Sequence, residues 1–366
     1  MEPDGETRVS IVPGSIKKLQ KFGFELVVEK GAGQDANYSD SEYTESGATI
    51  GNRSDVMSCE IIISIRMPNT DELSSGQILA CVADPFRHPE KVKACIDGGV
   101  TLMSMDMIPR RLSRAQSMDV NSSQDNLAGY KAVLLGAAHV PRGIPMMTTS
   151  AGTVRPAKVV IMGSGVAGLQ AIATANRLGA QVEAFDVRPA VKEQVESLGA
   201  KFIEVSSDTS EGEGEGGYAK ETSEEYKKLQ QKLIHSHIIK ANAVITTALI
   251  PGRSAPILIP SSMVEEMKPG SVIIDLAAEN GGNCELTKVD ETISLNGIEI
   301  DGTSNIPGTM PVHASELYSK NVAALLAYMT KDGELNLDLE DEIISGSMYT
   351  HLGEITNDST KEALGQ

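Results

Sequence analysis

Short apolar runs rich in β-branched residues recur along nearly the whole chain, separated by longer stretches whose apolar residues fall at helical spacing. FELVVE, EIIISIR, GQILACV and GVTLMSM come first, KVVIMG and QVEAFD stand mid-chain, and KFIEV, NAVITTAL, SVIIDLA and GIEIDG follow. A strand covered by helices on both faces of a parallel sheet needs this near-continuous apolar character. The alternation predicts an α/β fold of two doubly wound, Rossmann-like parallel-sheet domains.

Two stretches predict long helices. SQDNLAGYKAVLLGAAHV is rich in alanine and leucine at helical period, and suits a helix carrying the chain from the first domain into the second. Asn305-Ile306-Pro307-Gly308 interrupts the pattern, and HASELYSKNVAALLAYMT beyond it suits a helix returning to the first domain. The expected division is residues 1–128 plus 309–366 for the first domain and 129–308 for the second.

The sharpest local signal is RPAKVVIMGSGVAGLQAIATANRLGAQVEAFDVRPA, residues 155–190. Gly163, Gly165 and Gly168 stand as G-x-G-x-x-G between a strand-like and a helical run. In a strand–turn–helix unit Gly163 permits the tight turn, Gly165 lets backbone approach a pyrophosphate, and Gly168 lets helix and strand pack closely. The helix N-terminus then faces the phosphates. The next strand ends in Asp186, placed to accept hydrogen bonds from an adenosine ribose. Glycines alone would equally fit an ordinary turn. Strand, helix, second strand and terminal acid together point to a dinucleotide, expected in a cofactor cleft between the two domains. A 2′-phosphate beside Asp186 would be repelled by about 4 kcal/mol per unit charge at an effective dielectric of about 20, which favours NAD(H) over NADP(H). Arg188 stays open between two roles, partner of Asp186 or holder of such a phosphate.

The net charge of −18 argues against nucleic acid or an anionic membrane surface as partner. Cys59, Cys81, Cys95 and Cys284 are scattered without metal-binding spacing, so reduced, structural thiols and no metal site are expected. No apolar run approaches the length of a membrane span, and no signal peptide begins the chain. SSDTSEGEGEGGYAKETSEEY, about 206–226, is acidic, glycine-rich and almost free of aliphatics. It cannot hold itself down by burial. It is either a disordered excursion or a hinged lid with Tyr218 and Ala219 at its tip, and the Gly216-Gly217 stem favours the lid.

These segments closely resemble the NAD(H)-binding component, domain I, of the proton-translocating, Si/Re-specific NAD(P) transhydrogenases, a family related to alanine dehydrogenase. The likeness runs nearly end to end, through TRVSIVPGSIKKLQKFGFELVVEKGAG (7–33), YTESGATI (43–50), RLSRAQSMDVNSSQDNLAGYKAV (111–133), GGYAKE, ITTALIPGRSAPILI and GSVIIDLAAENGGNCE. RAQSMD with SSQ, and TTALIPG, are more specific than the glycine fingerprint.

The resemblance implies that Arg111, Gln116, Asp119 and Ser122 support the nicotinamide end of the cofactor, with Gln116, Asp119 and Arg111 acting at the site of transfer. Their chemistry agrees, because Gln and Asp offer partners for a carboxamide and a ribose diol while Arg clamps a polar group. Spacing of three would set Gln116, Asp119 and Ser122 on one face of a helical turn; a polar helix face or a set of caps is the alternative. The resemblance also matches Gly163, Gly165, Val166, Gly168, Asp186, Val187, Arg188, Gly217, Tyr218 and Leu249 to cofactor-binding positions, and 206–226 to a mobile loop. Where the family commonly has a methionine four residues after the tyrosine, this chain has Thr222, which weakens one apolar lid contact.

The same resemblance implies a homodimer, NADP(H) held by a separate partner domain and not by this chain, and a membrane domain that carries proton translocation. The chain would then be a soluble domain peripheral to a membrane, on the cytoplasmic side in bacteria or the matrix side in a mitochondrion-type organelle. Whether it is a whole subunit or an excised domain stays open.

Proton chemistry separates the competing activities. Oxidising an amine or alcohol moves a hydride and a proton, so it needs a side-chain acid or base tuned near neutrality. Passing a hydride between two nicotinamides needs close, oriented approach in a dry site. The alanine dehydrogenase pattern puts a catalytic histidine after the strand matching GQILACVAD, where this chain reads Val82-Ala83-Asp84. His88 lies in what looks like the start of a surface helix, and the relative's acid near the nicotinamide corresponds to Glu279. Arg8 and Arg66 remain as possible carboxylate holders. The favoured function is direct hydride transfer between NADH and NADP+ on a partner domain. The alternatives are an alanine dehydrogenase-like oxidoreductase and a non-catalytic NAD-sensing module.

Overall fold

All ten apolar runs contain strands in the computed structural model, which describes residues 2, 5–205, 224–250, 253–356 and 358–365. The chain divides into two units, residues 1–124 with 307–366, and residues 125–306.

The first unit contains β1 (Val27–Glu29), β2 (Thr49–Gly51), β3 (Ile61–Arg66), β4 (Ile78–Val82) and β5 (Thr101–Ser104). β3, β4 and β5 run parallel, and Met348–His351 and Glu354–Ile355 extend that sheet antiparallel from β5. Alternation sends Ile65, Ala80 and Met103 into one core and Ile62, Leu79 and Leu102 into the other. The helix Pro311–Tyr328 closes the first core with Tyr318, Val322 and Leu325, so this segment packs in the first unit. Each fully buried aliphatic side chain stabilises the fold by about 1.5–3 kcal/mol.

The single parallel sheet expected of this domain is here in two pieces. β1 pairs only with β2, and β3 lies at the free edge of the five-stranded sheet. A cavity of about 390 Å3 separates β1 from β3. No strand among the described residues fills it; the neighbouring segment reaches across only through Ser10 Oγ, which donates to the Ile63 carbonyl.

The second unit begins with the hairpin β6 (Met147–Thr149) and β7 (Gly152–Val154). Then come β8 (Lys158–Met162), β9 (Gln181–Phe185), β10 (Lys201–Phe202), β11 (Ala243–Thr246), β12 (Val272–Asp275), β13 (Thr292–Leu295) and β14 (Ile298–Asp301). The sheet order is β10-β9-β8-β11-β12-β14-β13, parallel except for β13. It is doubly wound. Val159, Ile161, Ile245 and Ile274 face one core, while Val160, Met162, Val244 and Ile273 face the other. The helix Val120–His139 runs through the chain position where the units divide. At Gly129 it approaches the next helix so closely that a Cβ there would lie 2.0 Å from the Ala167 carbonyl oxygen.

Candidate functional site

β8 turns directly into the helix Val166–Arg177, and β8 and β11 are the neighbours at which the strand order reverses. In a doubly wound sheet that reversal opens a crevice for a ligand. Gly163 has φ 103°, open to glycine and strained for other residues. A Cβ on Gly168 would fall 1.9 Å from the Gly163 carbonyl oxygen, so strand and helix pack at glycine distance. Above Gly165, the N-cap, there is nothing within 4 Å of a built Cβ. That helix has no side-chain N-cap bond and no acid in its first turn. Its leading N–H groups and positive dipole end are therefore available to an anion. Ser164 Oγ is buried with no hydrogen-bond partner among the described residues, one more donor beside the turn. This cradle fits a dinucleotide pyrophosphate. Val166, at the head of the helix, is half-buried.

Asp186 follows β9 and is 9% exposed. Its Oδ2 accepts the Ser164 N–H at 2.7 Å and Arg188 Nη2 at 3.0 Å; its Oδ1 accepts the Arg188 N–H at 2.8 Å and Nε at 3.0 Å. Burial pushes this carboxyl upward, but the bonds from Arg188 and from the Ser164 N–H outweigh it and hold the group below the usual range. Of the two roles open to Arg188, the geometry has it pairing with Asp186. Val187 and Leu249 are exposed apolar side chains, at 51% and 50%. Gly217, Tyr218, Ala219 and Thr222, with the rest of 206–223, lie outside the described residues.

Leu249 belongs to a loop that is pinned from beneath. Asn283 Oδ1 accepts the Ala248 N–H at 2.9 Å, and its Nδ2 donates to the Ala248 and Pro256 carbonyls at 2.9 and 2.8 Å. Asp275, fully buried at the end of β12, accepts from Thr246 Oγ1, Thr287 Oγ1 and the N–H groups of Ala277, Asn283 and Cys284. These bonds fix the turn that carries Glu279, itself half-buried. Neither Asp275 nor Asn283 was singled out by sequence reasoning. Their signal was a buried acid and amide in the DLAAENGGN stretch.

The 110–122 cluster belongs to the first unit. Ser113–Met118 is a 3-10 helix, Asp119 is extended, and the Val120–His139 helix starts after it. Gln116, Asp119 and Ser122 therefore do not share one regular helical face, because Asp119 sits at the junction as a cap. Its Oδ1 accepts the Ser122 N–H at 2.9 Å and its Oδ2 accepts Ser122 Oγ at 2.6 Å. Arg110 Nε donates to Asp119 at 3.0 Å and Arg110 Nη2 to Ser122 Oγ at 2.9 Å. Arg110 was not anticipated. Arg111 points to Glu342 at 3.1 Å and is 72% exposed, while Gln116 is exposed beside the cap. The arrangement offers a buried carboxylate, a hydroxyl, a guanidinium and an exposed amide, a set that suits a ribose diol and a carboxamide.

Where the dehydrogenase pattern would place a histidine, the N–H groups of Ala83 and Asp84 donate to Asp106 at 3.0 and 3.2 Å. His88 starts the helix Pro89–Asp97 and pairs with Glu90. His139, His235 and His237 pair with Glu299, Glu266 and Glu183, and His351 with Thr101, while His313 is exposed. Among the described residues no histidine bonds to the 110–122 cluster. Glu6 takes Arg8 through bonds of 2.7 and 2.7 Å and reaches Arg66 at 3.4 Å. Among the described residues, no group of three or more His, Cys, Asp or Glu side chains is arranged to hold a metal, and no helix is long and apolar enough to cross a membrane.

Comparison with known proteins gives two family matches: alanine dehydrogenase/PNT, N-terminal domain, over residues 2–128, and alanine dehydrogenase/PNT, C-terminal domain, over residues 132–358. The first of the parts that make up NAD(P) transhydrogenase subunit alpha in Rhodospirillum rubrum is 46% identical over 96% of this chain and 95% of its own length. The corresponding polypeptide of Rickettsia prowazekii is 40% identical over 96% and 93%. Alanine dehydrogenase of Bacillus subtilis is 26% identical over 99% and 92%. A solved transhydrogenase structure from Sinorhizobium meliloti matches with TM-score 0.88 and 44% identity over 97% of this chain and 98% of that one. An L-alanine dehydrogenase structure shares the fold, at TM-score 0.82 and 24% identity over 99% and 97%.

Proposed function

The chain belongs to the alanine dehydrogenase/PNT family, and from that premise we propose that it is the NAD(H)-binding component of a proton-translocating transhydrogenase. The observation that carries this reading is the likeness to transhydrogenase alpha chains over nearly their full length, at 46% identity against 26% for an alanine dehydrogenase.

NAD(H), when bound, supplies the hydride that passes to NADP+ on a separate partner domain. The residues of this chain bind and orient. The Gly163–Gly168 turn and the uncapped helix end receive the pyrophosphate; Asp186 receives the adenosine ribose and disfavours a 2′-phosphate. Val166, Val187 and Leu249 cover the apolar parts of the cofactor. Arg111, Gln116, Asp119 and Ser122 hold the nicotinamide ribose and carboxamide, and Arg110 joins them through its bonds to Asp119 and Ser122. Gly217 and Tyr218 close over the cofactor as the tip of a lid. No residue of this chain shuttles a proton; the partner and membrane domains perform that step.

The reading includes a homodimer. The β6–β7 hairpin supports it, because Met146, Met147 and Val154 are exposed at 66%, 42% and 41%, an apolar surface that suits a second copy. It also includes a position at a membrane surface, on the cytoplasmic or matrix side.

The test mixes the chain with a purified NADP(H)-binding domain, NADPH and an NAD analogue. Transfer that appears only on mixing, and that Gln116→Asn slows far more than it weakens NADH binding, supports the proposal. Robust alanine oxidation by the chain alone overturns it. Equal, small effects of Gln116→Asn on binding and transfer would point to an NAD-sensing module.

A further inference from the structure

β1 and β3 meet the 390 Å3 cavity as two open strand edges. In the β1–β2 pair the Thr49 N–H donates to the Leu26 carbonyl and the Lys30 N–H to the Gly51 carbonyl. In a parallel ladder successive residues turn their main-chain groups to opposite sides. Leu26, Val28 and Lys30 therefore serve β2, and Val27 and Glu29 turn away from it. In the β3–β4 pair the Ile78 N–H donates to the Glu60 carbonyl, which assigns Glu60 and Ile62 to β4 and turns Ile61 and Ile63 away. Residues 27–29 line one bank of the cavity and 61–64 the other.

Only the fringes of this gap are taken. Ser10 Oγ donates to the Ile63 carbonyl at 3.1 Å, and the Glu2 carboxylate accepts the N–H groups of Ile65 and Arg66 at 2.7 and 3.1 Å. Ser64 Oγ is buried without a hydrogen-bond partner among the described residues. Between the banks the walls are apolar, with Ile11, Leu19, Phe24, Met57 and Leu326 among them. An acyl chain would satisfy these walls and leave main-chain donors and acceptors on both banks unpaired, which folded proteins avoid. Glu2, Glu25 and Glu29 stand at the rim against Arg53 and Arg66, and both arginines pair with carboxylates. The rim therefore matches a basic segment.

We propose that this gap binds one extended strand of a partner polypeptide, apolar on both faces, about five residues long and flanked by lysine or arginine. The strand bonds to Val27 and Glu29 on one side and to Ile61 and Ile63 on the other. It joins the two pieces of the first unit into one continuous sheet.

The probe is a synthetic peptide with five alternating valines and isoleucines between terminal lysines, titrated into the full chain. Saturable binding of one peptide per chain is expected, with a Tm rise of about 5 °C at a concentration about 100-fold above Kd. Hydrogen exchange should slow about tenfold or more at the amides of Val27, Glu29, Ile61 and Ile63, and stay unchanged at Val28 and Ile62. A peptide N-methylated at alternate residues should lose binding. Equal binding by that peptide overturns the proposal, as does protection of the same amides by dodecanoate or by self-association of the chain. Absence of any binding or Tm change overturns it too.

Discussion

Glu6 grips Arg8 through two bonds of 2.7 Å while their side chains are 3% and 6% exposed, and the same carboxylate reaches Arg66 at 3.4 Å. Arg8 and Arg66 are the residues an amino-acid dehydrogenase would use for a substrate carboxylate. The chain's own carboxylate already engages both. Burial alone would push Glu6 upward, yet the bonds from Arg8 outweigh it and keep this carboxyl below its ordinary value of 4.5.

Removing that charge leaves Arg8 buried without its counter-ion. Glu6→Gln is expected to cost on the order of 3 kcal/mol in urea unfolding at pH 7. A depressed folded-state pKa stabilises above the unfolded value and loses its effect as pH falls through the folded one. The difference between wild type and Glu6→Gln should thus be full above about pH 5 and shrink below pH 4. A difference independent of pH would refute this account of the pair.

Asp119→Asn keeps a competent helix cap, since Asn and Asp are near-equal there, and removes the charge that faces Arg110. NADH affinity should change by no more than about threefold, while transfer to the NADP(H)-binding partner falls by about 100-fold. Stopped-flow transfer with parallel binding measurements separates the two. Equal losses in both would make Asp119 a structural cap alone.

Asp186 sets the choice of cofactor by repulsion. Asp186→Ala frees Arg188, and the ratio of NADPH to NADH affinity should rise by about tenfold or more. Calorimetric titration with each cofactor reads it; an unchanged ratio would remove Asp186 from specificity.

Parallel strands buried on both faces were legible in the sequence because each residue had to be apolar: β8, β11 and β12 read as KVVIM, AVIT and VIID. The β6–β7 hairpin was not, since every residue in its strands is exposed and carries no apolar pattern. β2, only three residues long, gave too short a run to register. The glycine turn and Asp186 were legible because their chemistry is local. Asn283 was hidden because its partner Ala248 lies 35 residues away. Arg110 was hidden because its partner is chosen by the break between a 3-10 turn and a helix. That break follows from the preference of Asp for a cap over a helix interior.

Gly129→Ala tests the close approach of two helices. Alanine favours a helix by about 1 kcal/mol over glycine, yet here the added methyl would lie 2.0 Å from a carbonyl oxygen. Net destabilisation of about 1–3 kcal/mol is expected from overpacking. A rise in Tm for this variant would contradict the packing described.

Glu2 behaves in the opposite sense to Glu6. Burial, only partly offset by the N–H groups of Ile65 and Arg66, pushes its carboxyl up to about 7. A raised folded-state pKa stabilises below the unfolded value, and that effect is lost as pH rises through the folded one. Glu2→Gln should therefore raise Tm at pH 8 and leave it nearly unchanged at pH 4. Exchange of the Ile65 and Arg66 amides would report the same transition. An equal effect at both pH values would contradict the burial of Glu2.

Asp275 gathers five donors from three stretches of chain beneath the 276–283 turn. A crest whose footing is locked this way can exchange its outer side chains with little penalty, because their replacement leaves the anchoring bonds intact. One scaffold can therefore be re-tooled at Glu279 and its neighbours for different redox partners, while any change at Asp275 loosens every chemistry built above it.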